Sequence, residues 1–574
     1  MNTPFRVTNL SFNGDTSIDV QDADVVVLIG PNNTGKSRTL QEISDHLSLG
    51  PGQPVPQNAF LALSDVAIDK RMSGYEVNAW LKERRYTWSN HNDLRERIHT
   101  TNVGELYLDQ VVAVWDAHSG GRLGALANHL VRGLWCGERL GYLGSPGRLE
   151  MGAHPDHAIH LLTRDEQLKS SFREALFGAF GMNTIVDAWG NSIRLRVSRV
   201  DTQEDFATTS TDGFADSDTL QRLSALPPIE SQSDGVRSFA GILLTLLAAQ
   251  YPLVLIDEPE AFLHPPQARL IGKYITELKG EGQVFVATHS LDILLGLIEA
   301  QPDRVSIIRL TRDSDLTSAQ SLPRSQLAKL WRDPFLRFSR SLDGLFHDAV
   351  IVCEGDTDCQ FYSAIAENVR TTGSSPYRRD VMFTYAGSKH RIPTVTAALR
   401  ALGVPVRVVV DFDALNDESV LKNLVESVGG EYTSEMTGDR NLLDSQIRGS
   451  GTVLTVGAIR GKLAQLLGDK DDRKMTSAMI RAIRQLTEPE TGWRAAKKSG
   501  TSVVPSGDAS AALQRLLASL QAVGVFVVPA GEVESFVKAV PGKGPRWAVE
   551  VAEGGYLDSA VEAQRFIQDL WSSL

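Results

Sequence analysis

The stretch from Val25 to Ser37, VVVLIGPNNTGKS, constrains this chain more than any other. A run of apolar residues, Val25 to Ile29, reads as a strand buried on both faces, as in a parallel sheet covered by helices. It runs into Gly30-Pro31-Asn32-Asn33-Thr34-Gly35-Lys36-Ser37, a G-x-x-x-x-G-K-S loop that opens a helical run. Glycines let backbone N–H groups close around phosphate oxygens, and the helix N-terminus adds partial positive charge. The candidate nucleotide contacts are Asn32, Asn33, Gly35, Lys36, Ser37 and Arg38. Lys36 is expected to reach the terminal phosphates and Ser37 to ligate Mg²⁺.

The complement of that loop lies much later. LVLIDEPE, Leu253 to Glu260, is an apolar strand ending in Asp257-Glu258. Asp257 is expected to hold Mg²⁺, and Glu258 to orient or deprotonate the attacking water. QVFVATHS puts His289 after a third strand, within reach of a terminal phosphate. A histidine after a strand is more often structural, so His289 draws its weight from these neighbours. Ser233-Asp234-Gly235 precedes a helix with an apolar face.

A second chemistry is written downstream. AVIVC, Ala349 to Cys353, runs into Glu354-Gly355, with Asp358 one turn into a helix. VRVVV, Val406 to Val410, ends in Asp411-Phe412-Asp413. Carboxylates converging at parallel strand ends repel one another unless cations lie between them. Oxygen-only ligands suit Mg²⁺ or Mn²⁺. Further strands are expected at Val381 to Gly387, before Ser388-Lys389-His390, and at Val523 to Gly531, before Glu532 and Glu534.

The first set of motifs resembles ATP-binding-cassette ATPases of the SMC and Rad50 branch. Ser233 and Gly235 only approximate that family's signature, which completes the nucleotide site of a second protomer. The second set resembles the Toprim fold through Glu354, Asp358, Asp411 and Asp413. That resemblance implies an acid after the last strand, for which Glu534 is preferred because Val533 and Phe536 flank it, with Glu532 the alternative. It also implies a lysine beyond that acid, here Lys543, which could neutralise the scissile phosphate; a solvated lysine in a Pro-Gly loop is the equal alternative. The implied fold class is α/β: an ABC/SMC-like P-loop ATPase domain followed by a Toprim domain, a Rossmann-like parallel sheet. The order of the two resembles the OLD (overcoming lysogenization defect) nuclease family, which includes the Gabija nuclease and retron-associated effectors. The resemblance implies an ATP- and Mg²⁺- or Mn²⁺-dependent DNA endonuclease of bacterial antiviral defence, dimeric or tetrameric through its ATPase part. It also implies a companion defence protein or retron RNA–DNA as a possible partner.

The expected organisation is an ATPase domain over 1–330 with a helical insertion at about 51–228, a linker helix over 331–347, and a Toprim domain over 348–574 with a helical insertion at about 415–510. Thr202 to Asp218, rich in Asp, Thr and Ser, reads as a mobile loop. Lys470 to Lys498 carries Arg473, Lys474, Arg481, Arg484, Arg494 and Lys497, suited to phosphate-backbone contact; interleaved acids make a solvated helical surface the competing reading.

Composition closes off other classes. The net charge of −12 argues against wrapping nucleic acid with the whole surface. Cys136, Cys353 and Cys359 have neither zinc spacing nor an even framework, which fits a reducing cytoplasm and excludes a primase's zinc module. No signal-peptide core opens the chain, and the apolar run Phe239 to Ile256 is interrupted by Gln250-Tyr251-Pro252, so no membrane span is expected. A topoisomerase would need a separate tyrosine-bearing domain. A catalytically silent ATP-dependent sensor and a DNA-repair ATPase-nuclease stay open as rivals.

Overall fold

The computed structural model describes residues 3–574 apart from 22–23, 51–52, 54–60, 86, 91–92, 101–102, 119–120, 149–154, 156, 200–216, 322–339, 372–379, 450–455, 469–473 and 488–491. The chain divides into two compact units, Met1–Pro334 and Phe335–Leu574.

The first unit opens with β1 (Phe5–Phe12), β2 (Ser17–Asp19), β3 (Val25–Ile29) and β4 (Leu63–Lys70). Then come β5 (Thr87–Asn90), β6 (Asp93–Thr100), β7 (Gly104–Tyr107), β8 (Val131–Leu134), β9 (Asn183–Asp187) and β10 (Arg194–Ser198). The unit closes with β11 (Leu253–Asp257), β12 (Gln283–Ala287), β13 (Val305–Asp313) and β14 (Leu316–Ser321). Its central sheet has the order β14-β13-β3-β12-β11-β8. Every neighbouring pair is parallel except the β13–β14 edge. β3, β12 and β11 are buried almost throughout, as their unbroken apolar sequences require. This puts the loops after β3, β11 and β12 side by side at one sheet end, where such folds carry their chemistry. A second sheet, β2-β1-β4, is antiparallel and packs its apolar face into the same core.

The expected helical insertion at 51–228 is corrected. That stretch contributes β4 to the second sheet, β8 to the edge of the central sheet, the separate sheet β5-β6-β7 and the hairpin β9-β10, with helices between them. The reason is pairing with strands distant in the chain. Leu63–Lys70 bonds to the edge of β1, and Val131–Leu134 pairs with β11, so backbone pairing at sheet edges wins over helix formation. Residues 202–216 of the expected mobile loop lie outside the described residues, and a helix starts at Ser217.

The second unit is built on β15 (Ala349–Cys353), β16 (Val381–Tyr385), β17 (Val406–Val410) and β18 (Val525–Val527), all parallel in the order β16-β15-β17-β18. Helices Asp356–Thr371, Pro545–Glu553 and Val561–Ser572 cover one face with an aromatic-rich core of Phe361, Tyr362, Trp547, Phe566 and Trp571. Between β17 and β18 the chain runs through helices that include Glu418–Ser427, Ser434–Gly449, Gly492–Ser499 and Asp508–Val523. Of the linker expected at 331–347, residues 331–339 lie outside the described residues, and Arg340–Phe346 forms a 3-10 turn rather than an α-helix. No helix among the described residues is long and apolar enough to cross a membrane.

Candidate active sites in the two units

In the first unit, the loop after β3 adopts the backbone its glycines allow. Gly30 has φ 138°, and a Cβ there would sit 2.3 Å from the Leu310 carbonyl oxygen, so only glycine fits. Asn33 and Gly35 also take positive φ, at 65° and 93°. The helix Lys36–Ser48 starts directly behind. Lys36 turns its ammonium back onto the loop, donating to the carbonyls of Gly30 at 2.9 Å and Pro31 at 2.8 Å. Burial lowers its pKa, while Glu258, Glu260 and Asp257 oppose that shift. Asn32 and Asn33 are exposed on the loop. Arg38 is exposed and its Nε donates to Glu42 at 2.6 Å, and Glu42 in turn accepts from the Ala62 and Leu63 N–H groups.

Asp257 faces this loop from the end of β11. Burial raises its pKa, and a hydrogen bond with the Ser37 side chain works against that rise. Its Oδ1 is buried with no partner. An orphaned carboxylate oxygen beside a serine hydroxyl and an ammonium is what a Mg²⁺–nucleotide requires, so this donor set fits. Glu258 has φ 45°, a left-handed conformation unusual for glutamate. His289 lies 3.3 Å from Glu260 and 3.8 Å from Glu258. The buried Glu260 also accepts from the Thr288 hydroxyl at 2.8 Å and the His289 N–H at 2.9 Å, which fixes the backbone beneath the histidine. Ser233 occupies the N-cap position of the helix Asp234–Ala248 without a side-chain capping bond, and a Cβ on Gly235 would meet the Phe262 carbonyl oxygen at 2.4 Å. That glycine lets the segment pack against the turn after Glu258.

In the second unit, Glu354, Asp411 and Asp413 each offer an oxygen within 4.8 Å of the others. They sit at the C-terminal ends of β15 and β17, adjacent parallel strands, and the Asp411 N–H donates to Glu354 at 3.1 Å. Asp358 stands outside this cluster and accepts from the Gly355 N–H at 2.9 Å. Burial, then the Asp411 charge, pushes Asp358 up to about 7, with Glu534 adding to the rise. Burial, then Glu354, likewise pushes Asp411 up to about 7. Carboxylates this strained in the ionised state form a donor set that divalent cations relieve.

The structure separates the two C-terminal acids. Buried Glu532 takes the Lys543 ammonium as its ion-pair partner, whereas Glu534 accepts from the Gly544 N–H at 3.1 Å and influences Asp358. Lys543, expected over a scissile phosphate, pairs here with Glu532. Two other lysines reach the acids. Lys389 lies 3.0 Å from Asp413, and Lys497 lies 3.1 Å from Asp411 and 3.3 Å from Asp413. Burial lowers the Lys497 pKa, but the two aspartates outweigh it and hold the ammonium protonated. Lys497 comes from the helix Gly492–Ser499, anchored by Trp493 against Phe412 and by Trp493 Nε1 donating to Asp444 at 2.7 Å. Thr501 N–H bonds to Pro529 O at 2.9 Å, tying that helix to the end of β18. Sequence reasoning had Lys497 only as one charge in a basic run and gave Lys389 no role. Of the rest of that run, Lys470 and Arg473 lie outside the described residues, Arg481 and Arg484 have no described side chains, and Lys474, Arg494 and Lys498 are exposed.

A family model for an AAA domain, described as putative AbiEii toxin, Type IV TA system, matches residues 143–295. A model for the overcoming lysogenization defect protein-like TOPRIM domain matches residues 345–413, which include Glu354, Asp358, Asp411 and Asp413. No curated protein matches the chain. Similar solved structures include an SMC head bound to the C-winged helix domain of ScpA, at 11% identity and TM-score 0.33, covering 55% of this chain and 98% of that one. An Smc head with an extended coiled coil from Pyrococcus furiosus gives 11%, 0.31, 57% and 98% for the same measures. The SMC head domain from Thermotoga maritima gives 12%, 0.29, 56% and 98%. The protein is thus of the class that joins a P-loop ATPase domain to a Toprim domain. Its domain order is that of an OLD-family ATPase–Toprim fusion.

Proposed function

We propose that this chain is an ATP-hydrolysing, divalent-metal-dependent DNA endonuclease of bacterial antiphage defence, with nucleotide state regulating cleavage. The observation that carries the nuclease reading is the convergence of Glu354, Asp411 and Asp413 at adjacent strand ends. Those three carboxylates, with Asp358 and Glu534 beside them, are the residues that would hold Mg²⁺ or Mn²⁺. Divalent cations supply a water acidified for attack and charge to offset the phosphate oxyanion. Lys389 and Lys497 bring positive charge to the same carboxylates and can follow a phosphodiester oxygen when cations displace them.

In the first unit, Lys36 and the loop N–H groups bind the phosphates, and Ser37 and Asp257 hold the Mg²⁺ that accompanies ATP. Glu258 orients the attacking water, and His289 senses the terminal phosphate. Ser233 and Gly235 complete the site of a second copy, making the active form a homodimer or tetramer. The defence role rests on the OLD-type domain order alone.

The deciding experiment is cleavage of supercoiled plasmid by purified protein with Mg²⁺, with Mn²⁺ and with EDTA. Asp411→Asn with Asp413→Asn is expected to lower the rate by at least about a hundredfold, as for loss of a principal charge-stabilising group. Wild-type cutting by that variant, or cutting in EDTA, would locate the chemistry elsewhere.

A further inference from the structure

We infer that Arg139, on the turn after β8, is a positioning residue for the ATPase: its buried guanidinium holds the peptide of Glu258 and couples it to the helix that carries Ser233 and Gly235. This rests on reading the first unit as an ATPase with Glu258 as its water-orienting carboxylate.

Arg139 is fully buried. A guanidinium without water must spend its donors on fixed acceptors. It does so on three oxygens: the Asp257 carbonyl, the Glu258 carbonyl at 2.6 Å and the Ser238 hydroxyl at 2.7 Å. Two of these belong to the backbone of the acidic pair itself. None is a carboxylate, so the charge acts on peptide geometry.

That geometry needs holding. Glu258 sits at φ 45°, where a side chain is strained. Its N–H donates to the Ala287 carbonyl of β12 at 2.9 Å, and its carbonyl accepts from Ala261 N–H at 3.0 Å as well as from Arg139. The peptide is thereby clamped from both sides, which sets the direction in which the carboxylate leaves the chain. The third donor reaches Ser238, one turn into the helix Asp234–Ala248 whose first residues follow Ser233. A shift of that helix on engaging a second copy is therefore passed to Glu258 through one rigid planar group.

The test is steady-state ATP hydrolysis and nucleotide binding by the full-length chain in excess Mg²⁺. Arg139→Lys keeps the charge but loses the fork. It is expected to lower kcat by about 10- to 100-fold, as for a small misplacement of a catalytic group, with ATP affinity within about threefold of wild type. Ser238→Ala, which removes one contact and spares the acidic pair, should give a smaller fall in kcat of the same kind. In a Glu258→Gln background, Arg139→Lys should cause no further loss, because the group it positions is already gone. Three results overturn the inference: wild-type kcat in Arg139→Lys, equal losses of affinity and kcat, or a full additional loss in the Glu258→Gln background. A wild-type chain that binds ATP without turning it over overturns the ATPase reading as well, and so is told apart from them.

Discussion

The Lys497 ammonium lies 3.1 Å from Asp411 and 3.3 Å from Asp413, so the paired acids at the end of β17 carry a cation of the chain's own. A lysine in that position competes with divalent metal for the same oxygens. It lowers the repulsion that Glu354, Asp411 and Asp413 impose on the fold. Replacing Lys497 by Met should therefore destabilise the cation-free protein. Lys497 is more than a third exposed, so solvent screening limits the effect to about 1 kcal/mol. For a unit of this size that is a fall in Tm of about 2–4 °C in EDTA. The rise in Tm on adding Mg²⁺ should be larger in the variant than in wild type. Identical melting in EDTA with an identical Mg²⁺ shift would show that Lys497 does not compete.

The two C-terminal acids should separate cleanly. Glu534 acts on the ionisation of Asp358, whereas Glu532 is neutralised by Lys543. Glu534→Gln is expected to lower cleavage by about 10- to 100-fold at limiting Mg²⁺, the cost typical of losing a metal-supporting carboxylate, and to recover partly at high Mg²⁺. Glu532→Gln should leave the Mg²⁺ dependence unchanged while altering thermal stability. The measurement is cleavage rate against Mg²⁺ concentration for both variants, and the reverse pattern would assign the ligand to Glu532.

Much of this was legible because strands buried on both faces advertise themselves. VVVLI, LVLID, AVIVC and VRVVV are each followed by the polar residues that the fold gathers at its sheet ends. Periodicity and turn chemistry carry such signals over a dozen residues. The long-range contacts carried no such signal. Arg139 meets Asp257 and Glu258 across about a third of the first unit's length of chain, and Lys497 reaches Asp411 from a helix far beyond it. A basic residue in a helix looks the same in sequence whether it is solvated or folded back onto an acid. The 51–228 region misled for a related reason: β4 and β8 pair with strands that lie elsewhere in the chain.

His129 gives the first unit an acid sensitivity with a definite sign. Burial, then the neighbouring Arg85 and His99 charges, lowers its pKa from 6.5 to about 4. Its Nδ1 bonds to Thr100 Oγ1 at 2.9 Å, and Arg85 donates to both Thr100 and the His129 carbonyl, so these neighbours offer no anion to an imidazolium. The unfolded chain takes up this proton first as pH falls. The stability from His129 is therefore complete above its unfolded pKa and is lost as pH drops from about 6.5 towards 4. Between pH 7 and 5 the loss amounts to about 2 kcal/mol. His129→Gln should flatten that part of the stability profile in denaturant melts. Parallel wild-type and variant curves would mean that His129 takes up its proton as readily in the fold as in the unfolded chain.

Nucleotide and nuclease chemistry on one chain should be coupled, and the expected direction is that bound ATP restrains cleavage while its depletion releases it. Coupling requires ATP to favour one global state over another. A bias of about 1–3 kcal/mol would change cleavage by about 5- to 150-fold if activity follows the population of the active state. Lys36 and Glu258 give the handles for testing this, because Lys36 lies on the phosphate loop and Glu258 follows Asp257, which faces that loop with an unpartnered oxygen. Lys36→Ala should abolish ATP binding and leave cleavage insensitive to nucleotide. Glu258→Gln should retain ATP without hydrolysing it and stay restrained long after the wild type has exhausted its supply. The measurement is plasmid cleavage against ATP concentration in all three proteins, with divalent cation in excess so that chelation by ATP plays no part. Acceleration by ATP would reverse the sign of the coupling, and flat responses throughout would show that the two sites ignore each other.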